Sequence, residues 1–229
     1  MAEYYYLISS LPKLQPNLSE LRGIDVMDLF DLIERNLTKK DLAIYHCLIY
    51  QHDNRNLLHQ IFNEYHHLEV PEYKQPSVIS ETMMKNYRRN YSFLPDFMIQ
   101  FLLDNAGVFG SYTPSDIELK LRNYFFDFIS REQSDFLATY YDWQYRLERT
   151  LAEFSQNHFD FLPTSEILDS NYSVPNTVKT VGLDREKLLS ELKPIVESGK
   201  YAGVEKLIDT YYWEFGEYWT DNFSSNAVF

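Results

Sequence analysis

Five histidines, His46, His52, His59, His66 and His67, fall within 22 residues of one another. Imidazole holds metals and moves protons near neutral pH, so such a cluster is the first place to look for chemistry. His52 and His59 are seven apart, which on a helix puts them on one face. Glu64 and His67 form a single Glu-x-x-His. A di-iron carboxylate bundle needs that motif twice, together with further inward carboxylates, and the sequence has no second copy. Zinc needs three or four converging ligands, and beyond the cluster there is only His158. The cluster therefore reads as surface and capping histidines. A helical-bundle enzyme binding a metal or ligand through His46–His67 is the alternative.

Other chemistry is absent from the pattern. No Gly-x-x-x-x-Gly-Lys-Ser/Thr or Gly-x-Gly-x-x-Gly stretch offers a phosphate cradle or a dinucleotide site. Cys47 beside His46 is not a nucleophile and its base, because adjacent helical positions point about 100° apart. Cys47 is the only cysteine, which excludes an internal disulfide and any multi-thiolate metal site, and its neighbours predict a small buried side chain. Asp28 and Asp31 read as a solvated helix face. We therefore expect no catalytic residue, no metal and no cofactor.

One polar stretch stands out. In "YQHDNRNLLHQIF", residues 50–62, six polar side chains run from Gln51 to Asn56 between apolar segments, without Gly or Pro to mark a turn. If residues 41–64 form one helix, Leu42, Ile49, Asp53, Asn56 and Gln60 fall near one stripe and Leu57, Leu58, Ile61 and Phe62 near another. Asp53 and Asn56 could then hydrogen-bond to the backbone ends of neighbouring helices, and Arg55 could pair with a carboxylate. The other reading is a solvated bend between two shorter helices.

The elements around this run are helical. Met27, Phe30, Ile33 and Leu37 recur at three or four after the N-cap candidate Asp25. Thr38 to Asp41 is a weakened capping box that opens a run through Tyr65. Helical spacing returns over about 78–89 and 96–104, and "DNAGVFGSYTPSD" marks the clearest internal boundary. After Pro114 a helix runs to Ser130. Next, Phe136, Tyr140, Trp143, Leu147, Leu151 and Phe154 give the strongest amphipathic signal. Residues 160–182 have no sustained period apart from a short helix at Glu166–Leu168. Asp184 caps a helix through Val196, and Val204, Ile208, Tyr211, Phe215 and Tyr218 share a face of the last helix. Only "YYYLIS" at the start suggests a strand.

Composition agrees with an all-α chain: 7 Gly stand against 19 Tyr and 16 Phe, which suits helices packed through broad rings and not a turn-rich β fold. The net charge is −13, and residues 91–229 carry 22 acidic and 11 basic groups. Such a field repels phosphate backbones and anionic lipid, so neither nucleic acid nor direct membrane insertion is expected. No stretch approaches the roughly 20 apolar residues of a spanning helix, and the N-terminus lacks a basic n-region. A cytoplasmic protein is the expectation.

Aligning Asp53 with Asp142 lays "DNRNLLHQIF" over "DWQYRLERTL", with Leu58 over Leu147 and Tyr145 in the place of Asn56. With these residues the sequence resembles an uncharacterised bacterial family encoded among the subunits of V/A-type rotary ATPases. More distantly, it is similar to the central-stalk subunit of those machines, called C in prokaryotes and d in eukaryotes. "DNRNL" at Asp53 to Leu57 looks like the Asp/Glu-x-x-Asn-Leu core of that subunit's helical units. "YYYLISSLP" looks like its opening, "FLATYYDWQYRLERTL" like its second unit, and "VGLD" with "LIDTYYWEFGEYWTDNFSSNAVF" like its third.

The resemblance implies an all-α fold of repeated helical hairpin units: a first unit at 1–106, a second at 107–162, a connecting segment at 163–183 and a partial third unit at 184–229. It implies a non-catalytic coupler between rotor shaft and membrane ring in ion transport, peripheral to the membrane, with shaft and ring subunits as partners. Asp53, Arg55, Asn56, Asp142, Tyr145 and Arg146 would carry the structural motif of the units. The family continues beyond the position of Phe229 into a further apolar helix. The expectation is therefore a shortened chain with Phe215, Trp219, Phe223 and Phe229 more exposed and able to mediate self-association.

Overall fold

A computed structural model of the chain describes residues 7, 11, 25–132, 134–158 and 183–222, with side chains to 219. The described residues are all-α: α1 (Val26–Asn36), α2 (Lys39–His66), α3 (Glu81–Lys85), α4 (Asp96–Asn105), a 3-10 turn (Phe109–Ser111), α5 (Pro114–Arg131), α6 (Asp135–His158), α7 (Arg185–Glu197) and α8 (Ala202–Asn222).

The helices begin where side chains can take the orphan N–H groups of a first turn. Asp25 accepts from the Met27 N–H at 2.8 Å, Thr38 from Asp41 at 3.3 Å and Asp184 from Lys187 at 2.9 Å. At α5 a full capping box forms between Thr113 and Asp116, with Pro114 in the first turn. Helix α2 ends at His67, whose left-handed backbone (φ 54°) returns its N–H to the Asn63 carbonyl. Gly199, at φ 69°, makes the corresponding left-handed turn between α7 and α8.

Helix α2 packs on α3, the 3-10 turn, α5 and α6; α4 lies on α5, and α6 hands over to α7 and α8. One hydrophobic core runs through all of them, from Cys47 and Leu57 to Phe215 and Trp219. Rings fill it. Phe97 stacks on Phe128 at 5.1 Å and meets Phe125 at 5.3 Å, while Trp143 takes Phe215 at 4.9 Å and Tyr212 at 4.8 Å. Phe109, from the 3-10 turn between α4 and α5, is buried against Tyr65 and Phe101. Helix α1 is the exception, with no buried residue.

Several expectations change. The helix expected over 78–89 shrinks to Glu81–Lys85. The Val78 and Ile79 N–H groups are already committed to the Asp53 carboxylate, Ser80 is the N-cap, and Asn86–Arg89 tightens into i→i+3 turns. Leu7, the described residue of "YYYLIS", is helical and buried, against a strand there. Tyr218 is 45% exposed, and Trp219 takes its place on the buried face of α8 because the spacing 211, 215, 219 keeps that face inward. Phe215 and Trp219 are covered, not exposed: α6 supplies Trp143 and Tyr140 against Phe215, and Phe136 at 5.1 Å against Trp219. Phe223, Phe229, all of the connecting segment 163–183 but Leu183, and the short helix at Glu166–Leu168 lie outside the described residues.

Candidate functional site

The polar run lies inside one uninterrupted helix, so the bend reading falls. Periodicity explains where its side chains go: Ile49, Asp53 and Asn56 are buried, as are Leu57, Leu58 and Ile61 on the adjoining stripe. Asp53 is 0% exposed and Asn56 1%, which only matched hydrogen bonds can sustain.

Those partners come from one strand of backbone, the link between α2 and α3. The Lys74 N–H donates to Asn56 Oδ1 at 2.8 Å, and Asn56 Nδ2 donates to the Lys74 carbonyl at 3.0 Å. The side-chain amide thus mimics a peptide group, pairing with both polar atoms of one residue. One turn earlier, Asp53 Oδ2 accepts from the Val78 N–H at 3.0 Å and Oδ1 from the Ile79 N–H at 3.1 Å. Beside them the His52 ring meets the Pro76 carbonyl at 2.8 Å, at a cis Gln75–Pro76 bond, and Tyr73 donates to the Ile79 carbonyl at 2.6 Å. The partners of Asp53 and Asn56 are thus the backbone of the α2–α3 link and not the ends of neighbouring helices.

Burial raises the Asp53 carboxyl from 3.8 to about 6, with the two N–H donors pulling the other way. Burial likewise pushes the Tyr73 phenol up to about 12. The link also walls a cleft of about 810 Å³ whose lining includes Gln60, Asn63, Tyr73, Gln75, Glu81 and Lys85.

The other motif residues behave differently. Arg55 is exposed and pairs with no carboxylate among the described residues, because its position faces away from the link. Asp142 is buried at 3% exposure, but its described partner is Arg146 on its own helix, at 2.9 Å, so it does not repeat the Asp53 clamp. Tyr145 fills the position of Asn56 with a buried ring packed on Phe126 and lying beneath the Arg122 guanidinium.

The histidines disperse along α2. His46 faces Glu34 at 3.3 Å, His52 holds Pro76, His66 packs on Phe62, and His67 is the helix cap. Burial first, then the Lys74 and Arg55 charges, lower the His59 pKa. Among the described residues no three His, Cys, Asp or Glu side chains converge as a metal would require.

Sequence reasoning missed a polar seam between α2, α6 and α5. Gln51 and Gln144 exchange amide hydrogen bonds at 3.0 and 3.2 Å, Gln144 continues to Glu148, and Glu148 takes Arg122 at 2.6 Å. Tyr141 donates to the Cys47 carbonyl at 2.7 Å in the same seam. Gln51 and Gln144 sit 93 positions apart, and no local pattern in either helix announces the pairing.

The arrangement spends its polar side-chain atoms on holding backbone in place. Among the described residues no helix is long and apolar enough to cross a membrane. Neither the curated proteins nor the solved structures include a match to the chain. Residues 1–229 match the family described as protein of unknown function DUF2764, and the chain belongs to that family.

Proposed function

We propose that this chain is a non-catalytic central-stalk subunit of the C/d type in a V/A-type rotary ATPase, coupling the rotor shaft to the membrane ring in ion transport. The observation that carries the reading is the use made of "DNRNL". Asp53 and Asn56, the residues that match the Asp/Glu-x-x-Asn-Leu core of that subunit's units, spend their polar atoms on locking backbone. A coupler must transmit force without yielding. Long helices, a continuous aromatic core and interior polar clamps all favour stiffness.

In this reading residues 1–106, with α1 to α4, form the first helical unit, 107–162, with α5 and α6, the second, and 184–229, with α7 and α8, a partial third, and the protein works at the membrane periphery through contact with shaft and ring. The excess of acidic groups in residues 91–229 suits a basic face on a shaft subunit. The test is affinity capture of the full-length chain from its host in mild detergent. Shaft and ring subunits should follow it in fixed ratio. Isolation of the intact ATPase without this chain, while the tagged chain is captured alone, refutes the proposal. Stoichiometric iron or zinc in the purified protein would support the histidine-based alternative instead.

A further inference from the structure

The chain carries 34 acidic groups against 21 Lys and Arg, so a surface cation has carboxylates in plenty to pair with, and Arg35, Arg88, Arg122, Arg146, Arg149 and Arg185 each hold one. Arg55 and Lys74 do not. Both are exposed, and among the described residues neither side chain has a carboxylate or any other hydrogen-bond partner; nor has the ring of His59. The three belong to one place. Arg55 and His59 are one turn apart on α2, and in helical projection His59 falls between Arg55 and Asn56. Lys74 is tied to that turn by its own backbone, through the 2.8 and 3.0 Å bonds to Asn56. Burial first, then the Lys74 and Arg55 charges, lower the His59 pKa, so the charges that reach the ring are both positive. The carboxylates close by in the chain are used elsewhere: Asp53 accepts from Val78 and Ile79, and Glu72 lines the cleft with Gln60.

We propose that Arg55, His59 and Lys74 form a docking site for an acidic segment of a partner protein. The guanidinium takes one carboxylate through two parallel N–H groups, the Lys74 ammonium takes a second, and the His59 ring donates from between them. Charge decides the class of occupant. Two cations and an imidazole on a chain of net charge −13 suit the few carboxylates of a short peptide, whereas the long phosphate run of a nucleic acid meets repulsion from the surface beyond them. The Asn56 clamp gains a second use here: it holds the Lys74 backbone beside α2, so less freedom is lost when a ligand arrives. The site stands independently of the stalk reading above.

The probe is a blocked tetraglutamate peptide, titrated into the whole chain in about 0.1 M salt, where a Debye length of about 10 Å screens distant acids but not contacts. NMR follows the His59 ring and the Lys74 amide. Both signals should move and saturate, with a blocked tetraglutamine peptide inert. Arg55→Gln and Lys74→Gln should each weaken binding about fivefold, the scale of one exposed ion pair, and together should abolish it; both leave the clamp intact, because it uses only the Lys74 backbone. Arg89→Gln, which removes an exposed charge outside the cluster, should leave the affinity unchanged. If Arg89→Gln weakens binding as much as Arg55→Gln, only net charge is being read and the site is overturned. A peptide that saturates without moving His59, or no shift at millimolar peptide, overturns it too. Inorganic phosphate moving His59 where the peptide does not would make this a small-anion site, and shifts at His59 that grow with chain concentration alone would make a second copy the occupant; either result overturns the assignment to a partner's acidic segment.

Discussion

Asn56→Asp exchanges an NH2 for an oxygen at almost constant shape, which makes it a sharp probe of the clamp. In the native protein Asn56 both accepts from and donates to Lys74. The substitution keeps the first bond and turns the second into an oxygen facing a carbonyl oxygen, losing about 1 kcal/mol of hydrogen bond and leaving the Lys74 carbonyl unsatisfied at about 1–3 kcal/mol. It also places a second carboxylate one turn from Asp53, at a position 1% exposed. Breaking a buried charged network costs about 3–5 kcal/mol, so the expected loss at pH 7 is about 4 kcal/mol. With a urea slope of about 2 kcal/mol per molar, the midpoint should fall by about 2 M.

Asn56→Ala is the comparator. It removes both bonds and adds no charge, for about 2 kcal/mol. The two variants should separate by pH. The introduced carboxyl has a folded pKa raised above its unfolded value, so its penalty is present at neutral pH and fades as pH falls toward about 4, where its O–H can donate to the Lys74 carbonyl. Circular dichroism at 222 nm across urea, from pH 4 to 8, reads both effects. If Asn56→Asp stays within about 0.5 kcal/mol of wild type at pH 7, or its deficit matches that of Asn56→Ala at every pH, the account of this site is wrong.

Three further outcomes are expected. Because Asp53 has a folded pKa of about 6 against 3.8, its contribution to stability is largest below about 4 and declines as pH rises to about 6, by up to about 3 kcal/mol; the wild-type pH dependence of the urea midpoint should lose that component in Asp53→Asn. Cys47 is 2% exposed, its thiol donates to the Ala43 carbonyl at 3.2 Å, and burial pushes it up to about 12, so Ellman's reagent should find no reactive thiol in the native protein and one per chain in denaturant; rapid native reaction would contradict the packing. Tyr141→Phe removes the hydroxyl that ties α6 to the Cys47 carbonyl and to Gln51 and should cost about 1–2 kcal/mol in urea unfolding, a neutral result refuting a structural role for the seam.

Local chemistry announced the helices. Asp25, Thr38 and Asp184 are short polar side chains placed where a first turn has free N–H groups, and each forms its cap. The 3.6-residue period of Phe136, Trp143, Leu147 and Phe154 likewise turns those residues toward the core. These signals act over one or two turns, so a linear reading captures them. For Asp53 and Asn56 the helical period offers burial beside an apolar stripe as one of two readings, the other being a solvated bend.

What those partners are was decided only by tertiary structure. Asn56 meets Lys74 at a separation of 18 positions, Asp53 meets Ile79 at 26, and Gln51 meets Gln144 at 93. A buried polar group accepts any backbone or amide of suitable geometry, so its own sequence neighbourhood cannot select one. Likewise the fate of Phe215 and Trp219 depended on whether another helix lay over them, and α6 does. Composition and period determined the helices and most of their inward faces; packing of distant segments decided which polar groups pair and whether Phe215 and Trp219 are covered, because contact follows from the path of the whole chain.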